Sequence, residues 1–162
     1  MSIENIHDIK FDGEFEEETD VCIVCGDDAE LTGWNEEKDL SRFECDNCGA
    51  VYVYDNSYNP TFIRGEKRDW YKFLSQELSF PLDGFVAEAQ GNPFEETNPI
   101  RYGDKVIVKK LIIEDDLYGV IAEIKSKGKT YHFPLCDIGI ENEKSPNFKI
   151  LDNYRTWFAN CR

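Results

Sequence analysis

The stretch WYKFLSQELSFPLDGF, residues 70–85, decides the fold of the second half of the chain. Its apolar residues Trp70, Phe73, Leu74 and Leu78 recur at the spacing of one helical face, which predicts an amphipathic α-helix. Pro81 has no N–H group to donate and disfavours helical geometry in the residue before it, so the helix must end before this proline. The chain is therefore expected to turn there and to continue as extended structure.

Short strand-like segments follow this helix and are separated by turn-forming residues. They are predicted at residues 85–89, 104–113, 119–125, 130–135 and 138–140. The connections are too short for crossover helices, which favours antiparallel pairing. The tail 151–160 returns to helical spacing, and Asp152 or Asn153 is the expected N-cap. Residues 66–162 are thus predicted to form a mainly β domain, a small SH3-like antiparallel β-barrel with an α-helix at each end.

The negative charge of the 162-residue chain lies mostly in its first part. Residues 1–64 hold 17 acidic and 4 basic side chains, whereas residues 65–162 hold 16 and 14. This asymmetry predicts a domain boundary near Gly65. The net charge of −15 repels phosphate backbones, so no nucleic-acid partner is expected.

The beginning of the chain lacks the cationic and apolar segments of a signal peptide, and no apolar run is long enough to span a bilayer. We therefore expect a cytoplasmic protein without a membrane partner. Residues 1–20 form an acidic lead-in whose composition predicts a mobile, solvated segment, with Ile3, Ile6 and Ile9 available for one short helical turn. The alternative is a segment that binds a protein partner through its isoleucines and phenylalanines.

Two Cys-x-x-Cys-Gly motifs carry the strongest chemical signal in the chain. Their spacing is typical of four thiolate ligands around one zinc ion in a reducing compartment. The expected ligands are Cys22, Cys25, Cys45 and Cys48. Four cysteine ligands leave no open position on the ion, which favours a structural zinc over a catalytic one.

Three strand-like segments accompany the cysteines, at residues 31–34, 42–44 and 50–54. Residues 21–55 are therefore predicted to form a zinc ribbon, followed by a linker of turn-forming residues at 55–60. A domain this small cannot fold on its apolar core alone, so the metal is expected to supply much of its folding free energy.

Four segments of the second domain resemble the CcbP family of cyanobacterial and other bacterial calcium-binding proteins. In chain order they are WYKFLSQELSFPLDGFV (70–86), YGDKVIVKKL (102–111), GKTYHFPLCDI (128–138) and LDNYRTWFAN (151–160). The resemblance implies a compact barrel-like domain without enzymatic activity. It also implies reversible Ca²⁺ binding through surface carboxylates, in a cytoplasmic buffering or signalling role. The zinc ribbon lies outside the part of the chain that resembles the family.

The candidate calcium ligands are carboxylates of the loops, because Ca²⁺ takes six to eight oxygen ligands. No EF-hand loop is present in the sequence. The first candidate site comprises Glu114, Asp115 and Asp116, joined by Asp137 if the chain after the fourth strand returns to that end. A second candidate site comprises Glu95, Glu96 and Asp104. The alternative is that all of these are solvated turn carboxylates.

No catalytic constellation is evident in the sequence. His132 and Cys136 lie four residues apart without an orienting carboxylate, and Cys161 lies in the tail, so we expect no enzyme. The leading hypothesis is a non-enzymatic protein with a structural zinc and calcium bound by acidic loops. The alternative is an adapter for protein interactions that binds no calcium and whose acidic ribbon contacts a basic partner.

Overall fold

A computed structural model describes residues 6–13, 16–88 and 99–162. The described chain is mainly β, with two antiparallel five-stranded sheets and two α-helices. Its residues group into two compact units. The first unit is the chain up to Arg68 together with Asn160–Arg162, and the second unit is Asp69–Ala159. Within the described ranges, no helix combines the length and the apolar character needed to cross a membrane.

The sheet of the first unit is a meander in which each strand pairs with the next. Its strands are β1 (Thr19–Val21), β2 (Asp28–Asn35), β3 (Leu40–Glu44), β4 (Val51–Tyr54) and β5 (Pro60–Arg64). The three strands expected from the sequence correspond to β2, β3 and β4. Neither outer strand was predicted: β1 overlaps the end of the expected lead-in, and β5 begins at the last residue of the expected linker. Pro60 can begin β5 because an edge strand tolerates a missing N–H group.

The lead-in differs from the mobile segment expected from its composition. A short 3₁₀ helix, η1 (Ile6–Asp8), buries Ile6 in a small apolar cluster against the sheet. Asp12 and Trp34 then exchange two backbone hydrogen bonds, of 2.8 and 3.3 Å. A Cβ atom at Gly33 would lie 2.6 Å from Cβ of Phe11, so the lead-in crosses β2 where the sheet has no side chain. Ile3 lies outside the described residues.

The second unit contains the predicted succession of a helix, five strands and a helix. Its elements are α1 (Trp70–Glu77), β6 (Leu82–Val86), β7 (Lys105–Asp115), β8 (Gly119–Ser126), β9 (Lys129–Pro134), the 3₁₀ helix η2 (Leu135–Asp137), β10 (Ile138–Gly139) and α2 (Phe148–Cys161). The first strand, expected at 85–89, begins instead at Leu82, because Leu82 pairs with Val108 and is buried. Residue 89 lies outside the described residues.

The second sheet has the strand order β10-β6-β7-β8-β9. Its two edge strands, β9 and β10, are consecutive in the chain and joined only through η2. In a flat sheet these edges would be about 19 Å apart at a spacing of about 4.8 Å per strand, whereas the connection reaches only about 14 Å. The sheet must therefore curl. Among the described pairings β9 and β10 are not hydrogen-bonded to each other, so the mainly β antiparallel fold is confirmed and the closed SH3-like barrel is not.

Helix α1 begins where its N-cap is satisfied, because the Asp69 side chain accepts a hydrogen bond from the N–H of Lys72 at 3.1 Å. It ends at Glu77, before Pro81 as predicted, and buries Trp70 and Leu74. Leu78 is the C-cap, and its side chain is buried although it lies outside the helix.

Helix α2 begins earlier than the sequence suggested. Asp152 and Asn153 lie inside the helix, which starts at Phe148, so the prediction that one of them is the N-cap is wrong. The preceding residue, Asn147, is buried and bonded to Ser79 in both directions. Its Oδ1 accepts from the Ser79 N–H at 2.8 Å, and its Nδ2 donates to the Ser79 carbonyl oxygen at 3.1 Å. This pair of bonds joins the segment after α1 to the start of α2.

Candidate metal centres

Two tight turns position the four cysteines of the first unit. Cys22 and Cys25 lie between β1 and β2, and Cys45 and Cys48 lie between β3 and β4. In each turn the glycine after the second cysteine has a φ of +76°, and its N–H donates to the carbonyl oxygen of the first cysteine, at 3.0 and 2.8 Å. Only glycine adopts this left-handed conformation without steric cost, which explains the Cys-x-x-Cys-Gly pattern.

The four sulfur atoms converge on one point. The Sγ atoms of Cys22 and Cys48 are 3.7 Å apart, those of Cys25 and Cys45 are 3.6 Å apart, and all four lie within 4.8 Å of one another. At a Zn–S distance of about 2.3 Å, sulfurs at the corners of a tetrahedron are about 3.8 Å apart, whereas a disulfide needs about 2.05 Å. The spacing therefore fits a tetrahedral metal site formed by unpaired cysteines.

Hydrogen bonds and burial separate the pKa values of these thiols. The N–H of Val24 donates to Sγ of Cys22 at 3.4 Å, and the side-chain amide of Asn47 donates to Sγ of Cys25 at 3.5 Å. The hydrogen bond between the thiols of Cys22 and Cys25 raises the pKa of Cys22 and lowers the pKa of Cys25 to about 4. Burial raises the pKa of Cys45 to about 11. A metal that takes all four residues as thiolates must therefore displace protons.

Three of the calcium candidates lie at the hairpin between β7 and β8. Glu114 and Asp115 end β7, and Asp116 follows in the turn. Oδ1 of Asp115 accepts hydrogen bonds from the N–H groups of Leu117 and Tyr118, at 2.8 and 2.9 Å, so this carboxylate braces the turn. Because successive strand residues face opposite sides of a sheet, Glu114 and Asp115 do not share a face.

Asp137 lies at the same end of the sheet as this hairpin. It ends η2, and only 6% of its surface is exposed. Sγ of Cys136 lies 3.7 Å from Oδ1 of Asp137 and 3.9 Å from the carbonyl oxygen of Tyr118 in the hairpin. The chain after β9 thus returns to the hairpin, so Asp137 meets the condition for joining the first candidate site.

Glu88 is a neighbour of Asp137 that the sequence did not reveal. The N–H groups of Ala87 and Glu88 donate to the backbone carbonyl oxygen of Asp137, at 2.8 and 3.2 Å. Burial, followed by the negative charges of Asp137 and Glu88, raises the pKa of Cys136 to about 12. Two carboxylates therefore act on the same thiol. No local motif connects Glu88 with Asp137, because only the pairing of β6 with β10 brings them together.

The remaining candidates have other surroundings. Oδ2 of Asp104 accepts from the N–H of Arg101 at 2.9 Å and lies 3.3 Å from Nζ of Lys127. Glu95 and Glu96 lie outside the described residues. Within the part of the chain that the structure describes, the cysteines are the only group of three or more possible ligands with atoms this close together. The described carboxylates of the hairpin and Asp137 form no such group.

His132 lies on β9, and Cys136 lies in the 3₁₀ helix η2 that follows it. His132 is exposed on β9 and pairs with Glu123 across the sheet, while the next residue, Phe133, is buried. Cys136 is half-buried in η2 beside Asp137.

A family model described as calcium binding, that of CcbP, matches residues 56–158. No curated protein and no solved structure matches the chain. The matched range begins in the turn between β4 and β5 and ends within α2.

Proposed function

Because the chain belongs to the CcbP family of calcium-binding proteins, we propose that its second unit binds Ca²⁺. We place the ion where the hairpin after β7, the helix η2 and the end of β6 meet. The proposed ligands are oxygen atoms of Asp116, Asp137 and Glu88, with the carbonyl oxygen of Tyr118. The observation that supports this placement is the position of Cys136 Sγ, within 4 Å of both Asp137 and Tyr118.

The chemistry of this corner suits a hard cation. Calcium prefers carboxylate and carbonyl oxygens in a flexible arrangement and accepts water for the remaining positions. A cation between Asp137 and Glu88 offsets the repulsion of two neighbouring negative charges. Asp115 has a positioning role in this proposal, because its carboxylate already holds the N–H groups of the turn. Glu114 is exposed beside it and adds negative charge.

The test is isothermal titration of Ca²⁺ into zinc-loaded, chelator-treated protein, repeated with Mg²⁺. We expect saturable heat with Ca²⁺ that is lost in Asp116→Asn/Asp137→Asn. Glu77→Gln/Glu123→Gln removes the same charge elsewhere in this unit and should keep the heat. Asp137 is buried, so Glu88→Gln/Asp116→Asn is the second variant, which changes only exposed side chains. Absence of heat up to millimolar Ca²⁺, or equal losses in the control variant, contradicts the proposed site.

For the first unit, we propose a structural Zn²⁺ bound by the four cysteines, in a zinc ribbon. The sulfur spacing supports it, and a sphere of four thiolates leaves no position for a substrate. Metal analysis should find one zinc per chain, and cobalt substitution should give the absorption of a tetrahedral thiolate site. Cys45→Ser should lose the metal, whereas Cys136→Ser should retain it. Retention of zinc by Cys45→Ser contradicts the proposal.

We propose that the protein binds calcium without catalysing a reaction and that it does so in the cytoplasm. The reducing environment there keeps the four cysteines available to zinc. Two observations disfavour nucleic-acid binding by the ribbon: its net negative charge and the intramolecular hydrogen bonds of Arg42. The guanidinium of Arg42 donates to Oγ1 of Thr32 at 3.0 Å and to Oε1 of Glu44 at 3.2 Å. If calcium titration gives no heat, the adapter for a basic protein partner becomes the leading function.

A further inference from the structure

A cleft in the second unit carries charge opposite to that of the whole chain. It has a volume of about 790 Å³ and is lined by β6, β7, β8 and the segment 140–147. The chain has a net charge of −15. The charged residues lining the cleft are Lys105, Lys109, Lys125 and Lys127, against Asp83 and Glu141. Four cations thus lie around one depression of an acidic protein.

Strand pairing brings these lysines together on one face of the sheet. Ile107 pairs directly with Lys125, so Lys105 lies diagonally across from Lys125 on the adjacent strand. Diagonal neighbours on one face are about 7–8 Å apart, close enough for a single small ligand to contact both side chains. Like charges at such positions repel, so an anion between them is favourable.

A β-bulge adds the third lysine. Val108 pairs with Ile124 and Lys110 pairs with Glu123, which leaves Lys109 as the extra residue between them. A bulge changes the direction of the side chain that it carries. Both Lys109 and Lys110 are exposed, but only Lys109 lines the cleft, while Lys110 lies opposite Glu123.

Three of the four lysines are available to a ligand. Lys127 lies 3.3 Å from Oδ2 of Asp104, which holds it at the rim. The described part of the chain gives Lys105, Lys109 and Lys125 no ion-pair partner, although Asp83 and Glu141 line the same cleft. Ammonium groups that converge without a partner attract a multiply charged anion.

We propose that this cleft binds a small ligand that carries neighbouring phosphate groups. Lysine ammonium groups act as point charges toward phosphate oxygens, and Lys105, Lys109 and Lys125 supply three of them in this cleft. The volume is that of a small-molecule site. A long polyanion would in addition meet the repulsion of a chain with net charge −15.

The experiment is calorimetric titration of zinc-loaded protein with inorganic pyrophosphate, with orthophosphate and ADP as further probes. The zinc content is measured before and after, because pyrophosphate also binds metals. The test variant is Lys105→Gln/Lys125→Gln. The matched control is Lys110→Gln/Lys129→Gln, which removes the same charge from the same sheet outside the cleft lining. Amide chemical shifts of β6, β7 and β8 locate the binding.

We expect saturable pyrophosphate binding that weakens by about tenfold or more in the test variant and by less than about twofold in the control. Asp83→Asn/Glu141→Gln should strengthen binding, because it removes the two carboxylates of the cleft. Tighter binding of ADP than of pyrophosphate assigns the ligand to nucleotides. The proposal is overturned if no binding is seen up to about 10 mM pyrophosphate, or if the test and control variants weaken binding equally. Tighter binding of a single-stranded oligonucleotide than of pyrophosphate also overturns it.

Discussion

The two units of this chain differ in the residues that form their cores. Among the described residues, the main apolar cluster of the first unit has eight buried residues, and three of them are cysteines of the candidate metal site. The core of the second unit has seventeen buried residues in the described ranges, and none of these is a cysteine. We therefore expect the stability of the first unit to depend on the four sulfur atoms and that of the second unit to depend on apolar packing. The substitutions below test this contrast.

The largest effect is expected from Cys45→Ser, which removes one of the four sulfurs. Binding of a structural zinc contributes roughly 10–16 kcal/mol, so its loss should unfold the first unit. Heteronuclear NMR should show collapsed amide dispersion for residues up to 68 and native shifts for most of residues 69–159. Cys136→Ser is the control and should leave the amide shifts of both units native. Native shifts for the first unit in Cys45→Ser would show that it does not depend on the metal.

Leu74→Ala tests the packing of the second unit. Leu74 is fully buried, so a cavity there should lower the free energy of unfolding by about 2–5 kcal/mol. Leu117→Ala removes the same atoms from a side chain that is 71% exposed and should cost less than about 0.5 kcal/mol. Denaturant unfolding followed by the amide signals of β6 to β9 measures both. Similar values for the two variants would show that the core described here is not what stabilises this unit.

Gly33→Ala tests the attachment of the lead-in to the first sheet. The added Cβ would lie 2.6 Å from Cβ of Phe11, so the lead-in must move, at a cost of about 1–3 kcal/mol. Hydrogen exchange at the amides of Asp12 and Trp34 should accelerate. Gly13→Ala is the control, because nothing lies within 4 Å of the added atom. Unchanged exchange in Gly33→Ala would mean that the lead-in is not held at this crossing.

The smallest effect is expected from Asp69→Ala, which removes the N-cap of α1. The helix should lose about 1 kcal/mol, because the N–H of Lys72 loses its acceptor. Asp152→Ala, at the position expected from sequence to cap α2, should cost less than about 0.5 kcal/mol, since Asp152 lies inside that helix. Urea midpoints of the second unit compare the two variants. A larger loss of stability in Asp152→Ala than in Asp69→Ala would contradict the assignment of Asp69 as the N-cap of α1.

Features with a local cause could be predicted from the sequence. Trp70 and Leu74 share a helical face, Pro81 limits the helix, and the glycines after each cysteine pair impose their turns, so these elements agree with the structure. The grouping of the four cysteines also followed from spacing alone, because each pair is held by a turn of fixed geometry.

Features that depend on distant partners could not be predicted. Asn147 starts α2 through its bonds to Ser79, which no local pattern indicates. Glu88 approaches Asp137 only because β10 returns to pair with β6. The outer strands β1 and β5 are short, and neither is evident until its neighbour in the sheet is known. The calcium candidates were chosen by composition, and their grouping depends on these same long-range pairings.

The pairing of β4 with β5 has a consequence for how this chain can be divided. The family match begins at residue 56, before β5, yet β5 completes the sheet that contains the cysteines. A protein cut where the family similarity starts would leave the backbone groups of β4 exposed, an edge that invites aggregation. A truncation that keeps the first sheet intact must lie after Arg64, in the segment that precedes α1. The start of the family match and the end of the first sheet thus fall on opposite sides of β5.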